Sequence, residues 1–325
     1  MFIAIKVWDE HRRGKDAVER EEQMTRLIDS QRQTTHDKWE PILKKSDGAV
    51  LKFVLEHSES SAVICMAYIL RDKEFLIPYQ GKFAEDPAFA LHYINAFPDD
   101  PDINKWIKVL LKNDPENAIG HYLDVVHQIQ QNPGMVSPVI DHLKDTVTLT
   151  EFDDYSVAIE SAAMTFFTDY LDMVDYRDAL RLSTWQYSFT PSLGGFAEIH
   201  DFINENLSNA TPQERIHMGA AGFNIGTNLV ATGDPLSMAI GLGLEGLYYR
   251  VLSDSTEETF NVSPGDVLTQ IDDDRALMQM MIKADPPDFK DISDSDLKKF
   301  QEVRQKEGRI PSFLFLEKLR QPSPQ

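Results

Sequence analysis

The stretch KNDPENAIGHYLDVV (Lys112–Val126) carries an Asp-Pro pair, Asp114-Pro115; the same pair stands fourteen residues earlier, at Asp100-Pro101, and fourteen earlier again, at Asp86-Pro87. An Asp side chain accepts hydrogen bonds from the free amides of a helix's first turn, and a proline at the next position has no amide to leave unsatisfied. Each pair therefore reads as a helix start, the first before AFALHYINAF, the second before DINKWIKVLLK and the third before ENAIGHYLDVVHQIQ. The first two leave room for short helices joined by turns of three or four residues, the ordinary length of a helix–helix connection.

Periodicity extends the pattern. Ala118, Tyr122, Val125 and Ile129 fall at i, i+4, i+7 and i+11, and after QNPG the residues Val136, Ile140, Leu143 and Val147 repeat that spacing, so a helical hairpin with matched apolar stripes is expected. DPAFALHYINA and DPENAIGHYLDV are alike at an offset of 28 or 29 residues, and a period between 20 and 50 residues marks a solenoid in which each hairpin buries its stripe on the next. Ile159, Ala163, Phe166 and Tyr170 form a stripe on a longer helix, with YRDALRLSTWQYSF as its partner, ended by Pro191. At VATGDPLSM, Gly233 suits the left-handed residue after a helix, Asp234 the next cap and Pro235 the first turn. Two long helices, 211–232 and 235–253, then form a tight hairpin, and Ser263-Pro264 opens another helix. DPPDFKDISDSD reads as a linker, and TVTLT alternates like a strand but has no partner run nearby. The class is all-α, with antiparallel hairpins stacked as a solenoid. Residues 1–46 form an N-terminal segment, 47–283 a helical-repeat domain, and 284–325 a linker with a helical tail.

DPENAIGHYL (Asp114–Leu123) resembles the junction of tetratricopeptide-type repeats, where an Asp-Pro turn, an Asn and an Ala lead into a helix with an aromatic on its inner face. FPDDPDINKWI, NDPENAIGHYL, FDDY and ATGDPLSMAIGLGLE together resemble a group of uncharacterised bacterial helical proteins with degenerate repeats of this kind, over roughly residues 85–250. The Trp-Leu-Gly-Tyr pattern of the standard repeat is missing, and the hairpins differ in length. The resemblance implies a TPR-like α-solenoid, protein binding and no catalytic residue; some members of that group look membrane-anchored at the N-terminus.

Composition bounds the function. Apolar residues at 42% and charged residues at 26% are ordinary globular usage, and a formal charge of −21 argues against nucleic acid, whose binders gather Lys and Arg on one face. A basic partner is compatible with that charge. Cys65, the only cysteine, lies in the apolar run SAVICMAYIL and reads as a small core residue. MFIAIKVWDEHRRGK has too short an apolar run for a span and no basic segment before it, so the chain as written reads as cytoplasmic. Its order, apolar and then basic, also fits the edge of a membrane helix beginning upstream, which would make the protein membrane-anchored or periplasmic.

Four constellations could carry chemistry. GLGLEG (Gly241–Gly246) matches the dinucleotide fingerprint letter for letter, but that fingerprint works between a strand and a helix. Inside a helix bearing Leu236, Ile240, Gly243 and Leu247 it reads instead as close packing against Gly219, Gly222 and Gly226. Glu214 and His217 have the Glu-x-x-His spacing of di-iron bundles, for which Asp124 and His127 are the nearest second pair, and His121, Asp124 and His127 share a broad helix face. The acid runs at 99–102, 272–274 and 291–296 lack the Gly and terminal Glu of a calcium loop. Trp106, Trp185, Tyr187, Tyr248 and Tyr249 could line a peptide groove or fill the core. The expectation is a protein without catalytic, cofactor-binding or metal residues that holds a protein or peptide partner; the other readings are a helical metal-dependent enzyme or metal protein built around Glu214 and His217, and a membrane-tethered assembly factor.

Overall fold

The computed structural model describes residues 47–132, 136–171, 175–186, 195–233, 235–254, 264–283, 289 and 292–320. Among them the regular structure is helical, the sole ladder pairing being an isolated bridge between Asn117 and Glu151. Contacts divide the chain into two compact units, Met1–Asp72 with Ile159–Phe189, and Lys73–Ala158 with Thr190–Gln325.

The first unit contains α1 (Asp47–Glu56), α2 (Ser60–Leu70), most of α7 (Ser156–Thr165) and α8 (Tyr176–Arg181). Phe53, Ile64, Met66, Phe166 and Phe167 are almost wholly buried in it, and Phe53 lies edge-on to Tyr170 with ring centroids 5.1 Å apart. The expected long helix continues past α7, but Phe166–Tyr170 is wound as a π-helix, and Leu182–Gln186 after α8 is wound the same way. Cys65 is fully buried, and burial pushes its thiol well above the ordinary range, so it packs as a hydrophobe. Pro191, the expected stop, lies outside the described residues.

In the second unit α3 (Pro87–Ala96), α4 (Ile103–Asn113), α5 (Ala118–Gln131) and α6 (Val136–Thr146) each pack on the next. The expected hairpin is α5–α6, with Ala118, Tyr122, Val125, Ile140 and Leu143 buried. The Asp-Pro pairs behave unequally. Asp86 caps α3 as expected, its Oδ1 accepting from the Phe89 amide at 2.8 Å. Asp100 accepts instead from the Asp102 amide and the Tyr93 hydroxyl, both at 2.8 Å, and α4 begins at Ile103. Asp114 closes the end of α4, while Asn117 caps α5 by accepting from the Ile119 amide at 3.2 Å.

The expected long hairpin is α10 (Pro212–Ala231) and α11 (Pro235–Asp254), turned at Gly233, whose φ of 68° is left-handed; Asp234 lies outside the described residues. α9 (Gly195–Asn206) packs on both, and α12 (Pro264–Lys283) packs on α11. α13 (Asp294–Glu307), capped by Ser293, pairs with α14 (Arg309–Arg320).

The two long helices meet through glycine, as the sequence suggests, but at a different register. A Cβ on Gly226 would lie 2.6 Å from the Gly241 carbonyl oxygen, and one on Gly241 would lie 2.5 Å from the Gly226 oxygen. Gly243 instead faces His200 of α9, and Gly246 meets nothing within 4 Å. α10 is buried on its opposite side as well. Two residues from Gly226, and so about half a turn round the helix, Asn224 and Asn228 reach into the end of the α5–α6 hairpin. Asn224 Nδ2 donates to the carbonyls of Thr146 (2.8 Å) and Leu149 (2.7 Å), and Asn228 Nδ2 donates to the Tyr122 hydroxyl (2.6 Å). Carbonyls at a helix end have no partner within the helix; here the amides of a neighbouring helix supply one.

Opposite outcomes follow for two glycine substitutions. Gly226→Ala places a methyl against backbone that has nowhere to move, and overpacking of that kind costs about 1–3 kcal/mol. Gly246→Ala gains helix propensity in open space, about 0.5–1 kcal/mol. Urea denaturation of the two variants should therefore shift the midpoint down for the first and slightly up for the second.

Candidate functional site

Several of the sequence candidates have a structural occupation. Glu214 closes a capping box at the start of α10: its Oε2 accepts from the Thr211 amide at 2.8 Å and the Thr211 hydroxyl at 2.7 Å, and Thr211 Oγ1 accepts from the Glu214 amide. These bonds hold its carboxyl below the usual range. Asp124 faces His142 of α6, with Nδ1 to Oδ2 at 2.9 Å, rather than His121 or His127. The His121 Nε2 lies 3.0 Å from the Pro115 carbonyl. Among the described residues no three His, Cys, Asp or Glu side chains are gathered so as to hold a metal ion. The glycines of GLGLEG lie within α11 rather than at a strand–helix turn. Trp106 and Tyr248 are core residues and Tyr249 is half-buried, whereas Tyr187 and the side chain of Trp185 lie outside the described residues.

Some members of the acid runs are engaged as well. Asp272 pairs with Arg275 one turn on at 2.6 Å, and Asp296 accepts from Ser293, the cap of α13. Asp274 is different, because it is buried and leads to a constellation that the sequence reading missed.

Two polar clusters emerge only in the folded chain. In the first, Asn117 binds the loop before α7: its Nδ2 donates to the Asp153 carbonyl at 2.8 Å and its Oδ1 accepts from the Asp153 amide. Tyr155 in that loop has φ of 57°, an uncommon state for a bulky residue, and its hydroxyl donates to Asp114 Oδ2 at 2.5 Å. His92 of α3 faces the Asp154 carbonyl at 3.3 Å. Burial pulls the His92 imidazole down to about 4, against the opposing pull of that carbonyl, so it is neutral at physiological pH. This cluster fixes a loop; its members are a cap, a turn and their bonding partners.

The second cluster is a pair of carboxyl groups between helices. Glu245 of α11 is fully buried and Asp274 of α12 is 7% exposed. Glu245 Oε1 accepts from Thr227 of α10 at 3.4 Å, while Oε2 has no donor. Asp274 Oδ2 accepts from Gln270 Nε2 at 2.9 Å. Two ionised carboxylates cannot bond one another, but with a proton on Glu245 its hydroxyl can donate to Asp274. Burial, then the charge and bonding of Asp274, raise the Glu245 carboxyl to about 8, partly offset by Thr227. The proton belongs on Glu245, since Asp274 has the stronger amide donor and the residual contact with solvent. The sequence signs of this pair were a glutamate set among the glycines of GLGLEG and the acid run 272–274, which nothing in the spacing connects.

No protein-family model, curated protein or solved structure matches the chain. Among the described residues no helix is long and apolar enough to cross a membrane.

The capping role of Glu214 has a measurable consequence. Glu214→Ala should lower stability slightly, because the half of the capping box that closes on the Thr211 amide is lost while Thr211 still caps the helix. It should also leave the metal content of the purified protein unchanged; stoichiometric metal lost from the variant would restore the ligand reading.

Proposed function

We propose that this chain is a non-enzymatic protein-interaction or scaffold protein, its helical hairpins arranged in the manner of a TPR-like α-solenoid and presenting a face to another protein or peptide. One observation carries the reading. On α1, Leu51 is 61% and Leu55 is 75% exposed, one turn apart on the same helix, where a helix serving only the core of its own unit would carry polar residues. Single exposed leucines are unremarkable, but two aligned on a helix are the elements of a helix-in-groove or helix–peptide contact.

Two further features support it. α3 to α6 follow one another as short helices each packed on the next, the local arrangement from which a repeat surface is made. Three of the groups that suggested metal or nucleotide chemistry have structural partners: Glu214 in a cap, Asp124 with His142, and Gly241 in a helix crossing. The formal charge of −21 favours a partner that is not nucleic acid.

Affinity capture from the native cell with tagged full-length protein, at low and moderate salt, is the test. Near-equal recovery of one protein at both salts, lost in a Leu51→Asp/Leu55→Asp variant that folds normally by circular dichroism, is the expected outcome. Capture of basic proteins alone, vanishing with salt, or recovery indifferent to the double substitution, would refute the reading.

A further inference from the structure

We propose that the Glu245–Asp274 pair is a proton-operated latch between α11 and α12: a proton shared by the two carboxyl groups holds the helices together, and its loss lets α12 open. The geometry is that of a built device. Gly226 has no side chain at the point where a Cβ would sit 2.8 Å from Glu245 Cγ, so the glycine crossing of α10 and α11 is also what admits the glutamate side chain. Glu245 Oε2 is buried without a donor. Across from it, Asp274 is held by Gln270 from one turn earlier on α12. A carboxyl–carboxylate bond forms with one proton and becomes a repulsion without it.

Among the described residues no ion pair joins Glu245 or Asp274 to a cation on the helices packed against α11. From α10 the facing group is the neutral hydroxyl of Thr227, and the ionisable residues of that helix, Glu214, Arg215 and His217, stand at its far N-terminal end. From α12 the facing group is Asp274 itself; Asp272 is paired with Arg275, and Asp273 is exposed. From α9, His200 faces Gly243, two residues from Glu245 and so on the other side of α11. Arg250, on α11 itself, reaches Asn204 of α9 at 3.2 Å.

The sign follows from linkage. The folded-state proton affinity of Glu245 exceeds that of an ordinary, solvent-exposed glutamate, so the closed form binds more protons than the open form. The latch is fully effective below the ordinary glutamate pKa of about 4.5, weakens as pH rises, and reaches its weakest state once pH passes about 8. Each pH unit within that window can change the open population by up to about tenfold.

The experiment is limited subtilisin proteolysis of the full chain between pH 5 and 9.5, with rates normalised to an unfolded substrate at each pH and cleavage within Pro264–Lys283 scored by mass spectrometry. The wild type should be cleaved there at least about tenfold faster at pH 8.5 than at pH 5.5, with the rate levelling above about 8. Glu245→Gln, which keeps a hydrogen-bonding group without titrating, should be cleaved at a rate indifferent to pH. Should that variant fail to fold, Asp274→Asn provides the second reading: with the facing charge gone but the burial kept, the levelling point should move to lower pH. A wild type with pH-independent cleavage of α12, a Glu245→Gln profile like the wild type, or an Asp274→Asn levelling point that stays in place would each overturn the proposal. So would closure of α12 at pH 9 by millimolar Mg²⁺ or Ca²⁺ in wild type but not in Glu245→Gln, since the pair would then hold a cation rather than a proton.

Discussion

The contact between Gly226 and Gly241 is the constraint on which the second unit depends. A Cβ on either glycine would lie within 2.6 Å of the other's carbonyl oxygen, so the two helix backbones approach more closely than a side chain at either position would allow. α10 has no idle face there: its glycines serve α11, Gly222 also meets Ile203 of α9, and the half-turn opposite carries Asn224 and Asn228 to the α5–α6 hairpin. A helix buried all round loses the clean amphipathic stripe of a surface helix. α10 therefore acts as the axle of its unit, and its small and amide residues are the means of approach on its two sides.

The polar interior follows from the same closeness. Burying amide or carboxyl groups without partners is expensive, and around α10 most of these groups are matched. Helix-end carbonyls receive asparagine amides, Tyr122 receives Asn228, and Thr227 donates towards Glu245. Glu245 Oε2 is the exception, and a proton is the smallest thing that satisfies it. In the first unit Phe53, Phe166 and Phe167 add rings to an aliphatic interior, Ser183 and Thr184 donate within it to the Leu180 carbonyl, and at its edge Tyr170 donates to Glu56 at 2.6 Å.

Much of this was legible in the sequence. The turn at Gly233, the helices on either side of it, the α5–α6 hairpin, the burial of Cys65 and the packing role of the glycine-rich run were all readable in the sequence. Other features were not, for identifiable reasons. Asp114 and Asn117 stand three residues apart and either can cap a helix; the loop at 151–155 decides between them by engaging both. Asn224 and Asn228 look like surface residues until the helix-end carbonyls that they serve are placed beside them. The π-wound segments at 166–170 and 182–186 lie within ordinary helical periodicity. The Glu214-x-x-His217 spacing was legible but ambiguous, because Thr-x-x-Glu from Thr211 is also a capping box.

We place the centre of stability of the second unit at the α10–α11 crossing, and native-state hydrogen exchange tests that directly. Amides flanking Gly226 and Gly241 should be the slowest to exchange in the protein, opening only with global unfolding and following the denaturant dependence of the whole unit. If they exchange through local fluctuations as readily as those of α1 or α14, the glycine crossing is not what the unit is built around.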